Sequence, residues 1–479
     1  MSETAERAPV KLSLLTMTTM VVGTMVGAGV FTLPGRFAAA TGVSGALIAW
    51  SIAGVGTLTL ALMFQALSNR KPHLDAGIYA YAKAGFGEYL GFFSAFGYWA
   101  TTCVGNVSFW VLIMSTLGGL FPALGEGDTV LAVVLSSAGL WGFYLLVRQG
   151  VREAAAINRI VTLAKLVPIL VFIVIALFYV DPQVFADNMA GPSDVALFEQ
   201  VRATMLVMVF VFLGVEGASV YSRHARRRKD VGRATVLGYL SVFAIFASVT
   251  MVSYGIMPAA EMAQLRQPSM AGVLEAAVGG WGSVFVSVGL IVSVLGAYLA
   301  WTMIAAELLF VAAKDRDMPR FLARQSDRDV PVAALLTTTV LSQAMLLVVL
   351  VSADAVNFVV DLTSALSLIP FLFAAGYLLK IAAQRDGYGT VGVEARERRR
   401  ELALGVLATA YVVFLLFAAG LDFVLVSSII YAPASILFIM VRREQGRRWF
   451  SPREAVILAV SLGAAVVGVV GLATGWLVI

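Results

Sequence analysis

A single cysteine, Cys103, stands in a chain of 479 residues, which excludes an internal disulfide framework and a thiolate zinc cluster. Histidine is almost as scarce. His73 and His224 both fall in polar loops, so no internal metal site is expected. Charge is thin: Asp, Glu, Lys and Arg make up 13% of the residues, where a soluble protein carries about 25%. The sequence holds no phosphate-binding lysine loop, zinc-protease motif or hydrolase elbow. That weighs against an ATP-driven pump or an enzyme, and no cofactor is called for. The opening stretch from Met1 to Val10 is polar and mixed in charge, unlike a cleavable signal.

Apolar residues fill the space that charge leaves, at 60% of the chain. Thirteen apolar stretches read as membrane spans, near 12–35, 43–66, 92–121, 129–147, 158–180, 200–222, 234–258, 281–312, 331–351, 355–380, 401–420, 423–441 and 453–478. Each is long enough to cross a bilayer as a helix. The formal charge of +5 is better read as topology than as a nucleic-acid surface, because the basic residues are scattered over seven places. With the N-terminus in the cytoplasm, 31 of the 34 lysines and arginines fall at cytoplasmic ends and loops, and only Arg36, Arg202 and Arg266 do not. Gly/Pro-rich linkers and low-complexity tracts are absent, so residues 1–479 are expected to form one membrane domain.

Two spans look unable to remain continuous helices. The first carries Gly23-Thr-Met-Val-Gly27-Ala28-Gly29 and closes on Pro34. Glycine costs roughly 1 kcal/mol against alanine inside a helix, so Gly27, Ala28 and Gly29 mark where this one opens most easily. The sixth span repeats the anomaly with Gly214-Val-Glu216-Gly217 after Phe210. Close helix packing accounts for many glycine pairs in membrane helices. Broken helices at matching places in two oppositely oriented halves instead point to an inverted-repeat transporter. On that reading residues 12–180 and 200–380 are the repeats, after a cytoplasmic segment 1–11 and before accessory spans over 401–478. Opened half-helices suit an amino acid, because free N–H groups and a positive dipole end attract a carboxylate.

Several side chains are candidates for the rest of such a site. Glu216 lies deep in a span, where an acid costs at least ~2.5 kcal/mol, and it reads as a gate or coupling group or as a cap on opened backbone. Lys165 either snorkels to the interface or serves as an internal ammonium in place of a bound cation. Trp301 and Phe210 are packing residues or aromatic faces for a cationic tail. Asn106 bonds a substrate or a neighbouring helix. Asp361 also lies within a span, and Glu307 lies near a cytoplasmic end.

Together, several motifs resemble the amino acid–polyamine–organocation transporters, and within them the basic amino acid antiporters of the arginine/ornithine group. The carriers are Val22 to Pro34, Asn69 to Gly85, Gly214 to Ser219, Asp230 to Thr235 and Ala313 to Pro319. The resemblance implies the leucine-transporter fold: an all-α membrane protein of 5+5 inverted repeats with helices 1 and 6 broken, plus about three further spans. It also implies exchange of arginine for ornithine across a bacterial-type inner membrane by alternating access. A proton-coupled or facilitated permease for lysine or another amino acid is the second reading, and a channel or sensor the third. The resemblance places the substrate carboxylate on Gly27, Ala28 and Gly29, where Ala28 replaces a frequent serine. It puts Asn106, Phe210, Trp301 and Thr363 around the substrate, and Leu213 and Glu216 on the unwound part of helix 6. It makes Lys165 a substitute for a sodium ion. Homodimers are common among such transporters, though no residue here points to one.

Overall fold

The computed structural model describes residues 13–71, 74, 78–149, 165–216, 228–326, 330–352, 354–388 and 393–477, and every regular element among them is helical. The first apolar stretch begins as α1 (Leu14–Met25), capped by the Ser13 hydroxyl, which accepts from the Thr16 N–H. It stops where Val26 turns extended (ψ 101°). A 3₁₀ turn over Gly29–Thr32 follows, and α2 (Leu33–Ala40) resumes with Pro34 in its first turn. Proline is at home there because a first-turn N–H has no helical partner to lose. The two halves meet at a bend of 47°.

Further along come α3 (Val43–Arg70), α4 (Ile78–Phe86), α5 (Glu88–Gly118), α6 (Val130–Gln149), α7 (Leu166–Phe178) and α8 (Leu197–Phe212). Short helical turns at Pro182–Asp187 and Ala259–Met262 aside, there follow α9 (Arg228–Ser253), α10 (Ser269–Val278), α11 (Gly280–Lys314), α12 (Val332–Val348), α13 (Ala355–Gln384), α14 (Val393–Glu444) and α15 (Pro452–Ala473). Among the described residues nine helices are long and apolar enough to cross a membrane, and the bent α1–α2 pair makes a tenth. The short α7 and α8 also fall in expected stretches, and α14 covers two of them. Its halves meet at Gly420, whose φ of 79° is open to glycine and costly for other residues.

Three boundaries differ from expectation. The helix α5 starts at Glu88, four residues before the apolar run, because Gly87 at φ 96° turns the chain into it. The arginine-rich stretch 393–400 is helical, where charge alone reads as loop. Between the seventh and eighth apolar stretches, α10 inserts a short helix that packs on α2 and α11.

The helix at the centre is α5. Its apolar window is 94% buried, against 17% for α15, which packs on α14 at the periphery. Around α5 stand α4, α11, α12, α13 and α14, while α1 packs on α9 and α2 lies against α8, α9 and α10. The three basic residues that break the charge asymmetry are each neutralised. Arg36 pairs with Asp361, Arg202 with Glu199 at 2.6 Å, and Arg266 with Glu126 at 3.3 Å. Lys83, Arg316, Arg320, Arg442 and Arg447 gather around one surface opening, which marks the basic face of the molecule.

Candidate functional site

The opened backbone between α1 and α2 is the first element of the site. Val26 still donates to Val22 O, and Phe31 donates to Ala28 O at 3.2 Å. Between them, the N–H groups of Gly27, Ala28 and Gly29 have no protein acceptor among the described residues. Ala28 and Gly29 are buried, and Gly27 is partly exposed. Buried donors of this kind cost free energy unless something accepts from them.

The two glycines of this stretch do different things. A Cβ on Gly29 would stand 2.5 Å from Val211 Cγ1 and 2.9 Å from Phe210 Cδ1, so the close approach of α8 requires glycine there. On Gly27 the nearest atoms would be Phe109 Cε1 at 3.7 Å and Ala297 Cβ at 3.8 Å, which are ordinary contacts. Packing therefore explains Gly29 and leaves Gly27 unexplained.

From Gly27 the contacts lead to the remaining candidates. Phe109 meets Trp301 edge to face at 5.5 Å. The indole edge of Trp301 lies on Gly105 of α5, beside the methyl of Thr363 from α13. Asn106, next to Gly105, donates through Nδ2 to Thr302 Oγ1 at 3.2 Å, and its buried Oδ1 has no partner among the described residues. Thr363 donates its hydroxyl proton to Val359 O at 2.6 Å, which leaves its oxygen able to accept. Thus α5, α11 and α13 form one wall, and the break with Phe210 faces it.

The second break is where α8 ends. Leu213 is extended (ψ 135°), and Gly214 takes φ 101°. Thr24 donates to Gly214 O at 3.1 Å, so the two interrupted segments touch. Glu216 is buried; it accepts from the Gly214 N–H at 3.2 Å and from Tyr98 Oη at 2.5 Å. The carboxylate both caps opened backbone and ties α8 to α5. Gly217, the second glycine of that motif, lies outside the described residues.

Lys165 does not snorkel. It is 2% exposed, and its ammonium donates to the carbonyl of Gly23 in the last turn of α1. The aliphatic stem cannot reach the interface from a site enclosed on all sides, so the ammonium is an internal one. Among the described residues no carboxylate pairs with it. Lys165→Met keeps the stem and leaves Gly23 O without its donor, at a cost of about 1–3 kcal/mol. Substrate uptake per inserted protein is expected to fall at least about tenfold, and undiminished uptake would remove the ammonium from the working parts.

In the sequence Arg36 and Asp361 stand as separate anomalies. They form one ion pair between α2 and α13, with side chains 13% and 15% exposed. The usable signal was two opposite charges, each out of place in an apolar stretch. A polar cavity of about 400 Å³ opens on the basic face, lined by Lys83, Glu88, Asp317, Arg320 and Arg442 among others, and none of the sequence candidates line it.

An interrupted helix in contact with the opened end of α8, inside a bundle of apolar helices, defines a multi-pass membrane protein whose polar backbone is turned inward. Comparison with known proteins narrows that class. Residues 12–441 match the amino acid permease family. The chain is 45% identical to the arginine/ornithine antiporter of Pseudomonas aeruginosa, covering 98% of both chains. It is 37% identical to the L-lysine transport protein of Corynebacterium glutamicum, over 97% of this chain and 95% of that one. With the arginine/ornithine antiporter of Latilactobacillus sakei it shares 35% identity, over 99% and 98%. The chain belongs to the amino acid permease family.

Proposed function

We propose that this protein exchanges arginine for ornithine across a bacterial inner membrane by alternating access. The observation that carries the reading is the set of N–H groups on Gly27, Ala28 and Gly29 without an acceptor among the described residues, a ready cradle for an α-carboxylate. The substrate's cationic tail would extend toward the opposite wall. There the Trp301 ring supplies a π face, the Asn106 Oδ1 a buried acceptor without a donor among the described residues, and Phe210 flanks the entrance. High identity to antiporters of these two amino acids supports the choice of substrates.

The architecture would be two inverted repeats, 12–180 and 200–380, with accessory spans over 401–478. In favour stands the meeting of two helix breaks, one in each half, through Thr24 and Gly214. The basic face would be cytoplasmic, which puts the N-terminus inside. Arg36–Asp361 would then close the external side, and Tyr98–Glu216 would link the moving and fixed helices between the two faces. With the Lys165 ammonium on Gly23 O, exchange would run without sodium.

The test is radiolabelled arginine uptake into liposomes carrying the protein, sodium-free, either empty or loaded with ornithine or lysine. Ornithine inside is expected to raise the initial rate at least about tenfold over empty vesicles. Equal rates in empty and loaded vesicles would overturn obligatory exchange and favour the permease reading.

A further inference from the structure

We propose that Gly105 is a specificity-determining position: by having no side chain it sets how far Trp301 projects into the site, and so which length of cationic tail is exchanged. The inference rests on the reading of Trp301 as the face that receives the tail. Gly105 lies within the 31-residue helix α5. Glycine in a helix interior costs about 1 kcal/mol against alanine. Its φ is outside the positive range, so the backbone does not require glycine. What glycine supplies is space. A Cβ would stand 2.5 Å from Trp301 Cζ3, 3.0 Å from Trp301 Cε3 and 3.3 Å from Thr363 Cγ2. The benzo edge of the indole therefore rests directly on the α5 backbone, next to Asn106.

The surroundings decide what an added methyl does. Carbon atoms at van der Waals contact stand about 3.5–4.0 Å apart, so the indole would have to withdraw from α5 by roughly 1 Å. Trp301 packs edge to face on Phe109, and Phe109 already lies in contact range of Gly27. Phe109 stands on α5 one turn past Gly105, so the indole alone withdraws: it leaves the α5 wall for the space the tail would occupy, which shortens the site. Arginine, whose guanidinium reaches further than the ornithine ammonium, loses more than ornithine. A mismatch of about one methylene in a fitted pocket is worth roughly tenfold or more in discrimination.

The experiment compares exchange of arginine and of ornithine by the unmodified protein, Gly105→Ala, Trp301→Phe and the double variant, all in proteoliposomes. The Phe ring lacks the benzo edge that the new methyl would strike. Gly105→Ala is expected to reduce the arginine-to-ornithine preference about tenfold, and adding it to Trp301→Phe is expected to change that preference less than twofold. An equal loss for both substrates, or the same shift in the Trp301→Phe background, would overturn the inference. If Gly105→Ala fails to accumulate in the membrane, the double variant decides: recovery of folded protein supports the contact, and no recovery overturns it. Absence of arginine/ornithine exchange by the unmodified protein would sink the functional reading itself, a result distinct from an unchanged preference in Gly105→Ala.

Discussion

Gly29→Ala is expected to lower arginine exchange at least about a hundredfold while the protein still reaches the membrane. The added methyl would overlap Val211 Cγ1 at 2.5 Å and Phe210 Cδ1 at 2.9 Å. Neither can yield cheaply. Val211 is 2% exposed within α8, and a β-branched side chain in a helix has one strongly preferred χ1. The break and α8 must therefore move apart by about 1 Å, and a displacement of that size at a substrate-positioning element can cost roughly 10²-fold. Gly27→Ala is the internal comparison, since its methyl would meet only ordinary contacts at 3.7 and 3.8 Å and its N–H is kept. Its loss should be at least about ten times smaller. Initial uptake rates into ornithine-loaded vesicles, normalised to inserted protein, decide the matter. Equal losses at the two positions would show that the approach of α8 to Gly29 is not what matters.

That difference between two neighbouring glycines marks how far the sequence could be read. The break itself was legible, because three glycines and a proline inside an apolar run oppose a continuous helix by local rules alone. The same holds for Gly214, and for Gly420, where two apolar stretches meet at the expected place. Helix identity and order followed from stretches long enough to span a bilayer. The partners of buried polar groups did not follow. Tyr98 and Glu216 are 118 residues apart, and Lys165 and Gly23 are 142 apart. No periodicity links such pairs; they are set by which helix faces meet, and apolar faces in lipid are poorly distinguished from one another. Composition raised Lys165 as a candidate without deciding between interface and interior. Its burial against the Gly23 carbonyl puts the side chain in the interior. Gly105 was missed for a related reason: a glycine in an otherwise ordinary helix carries no local sign of the indole that lies on it.

A second pair far apart in sequence yields the other large effect. Arg36 and Asp361 are 325 residues apart and join α2, just past the break, to α13, on what would be the external side. An ion pair this enclosed is weak evidence of net stabilisation, because desolvating both charges costs about as much as their attraction returns. Removing one partner is another matter, since the remaining charge is left buried and unpaired at a cost of about 3–5 kcal/mol. That cost falls on the conformation in which the pair is enclosed and not on one in which water reaches it. Asp361→Asn and Arg36→Gln are therefore each expected to shift the balance toward opening on that side by roughly 10²-fold or more, and exchange falls because the closed state is no longer reached. A cysteine placed at Ala38, 5% exposed in α2, reports the shift through its labelling by a membrane-impermeant thiol reagent. The native Cys103 is fully buried in α5 and stays silent. Labelling should accelerate at least about tenfold in both single variants, and the exchanged pair Arg36→Asp with Asp361→Arg should recover part of the slow labelling and part of the transport. If the single variants label at the unmodified rate, the pair is a fixed strut between α2 and α13, and closure on that side must be held by the packing of α2 against α8 and α10 instead.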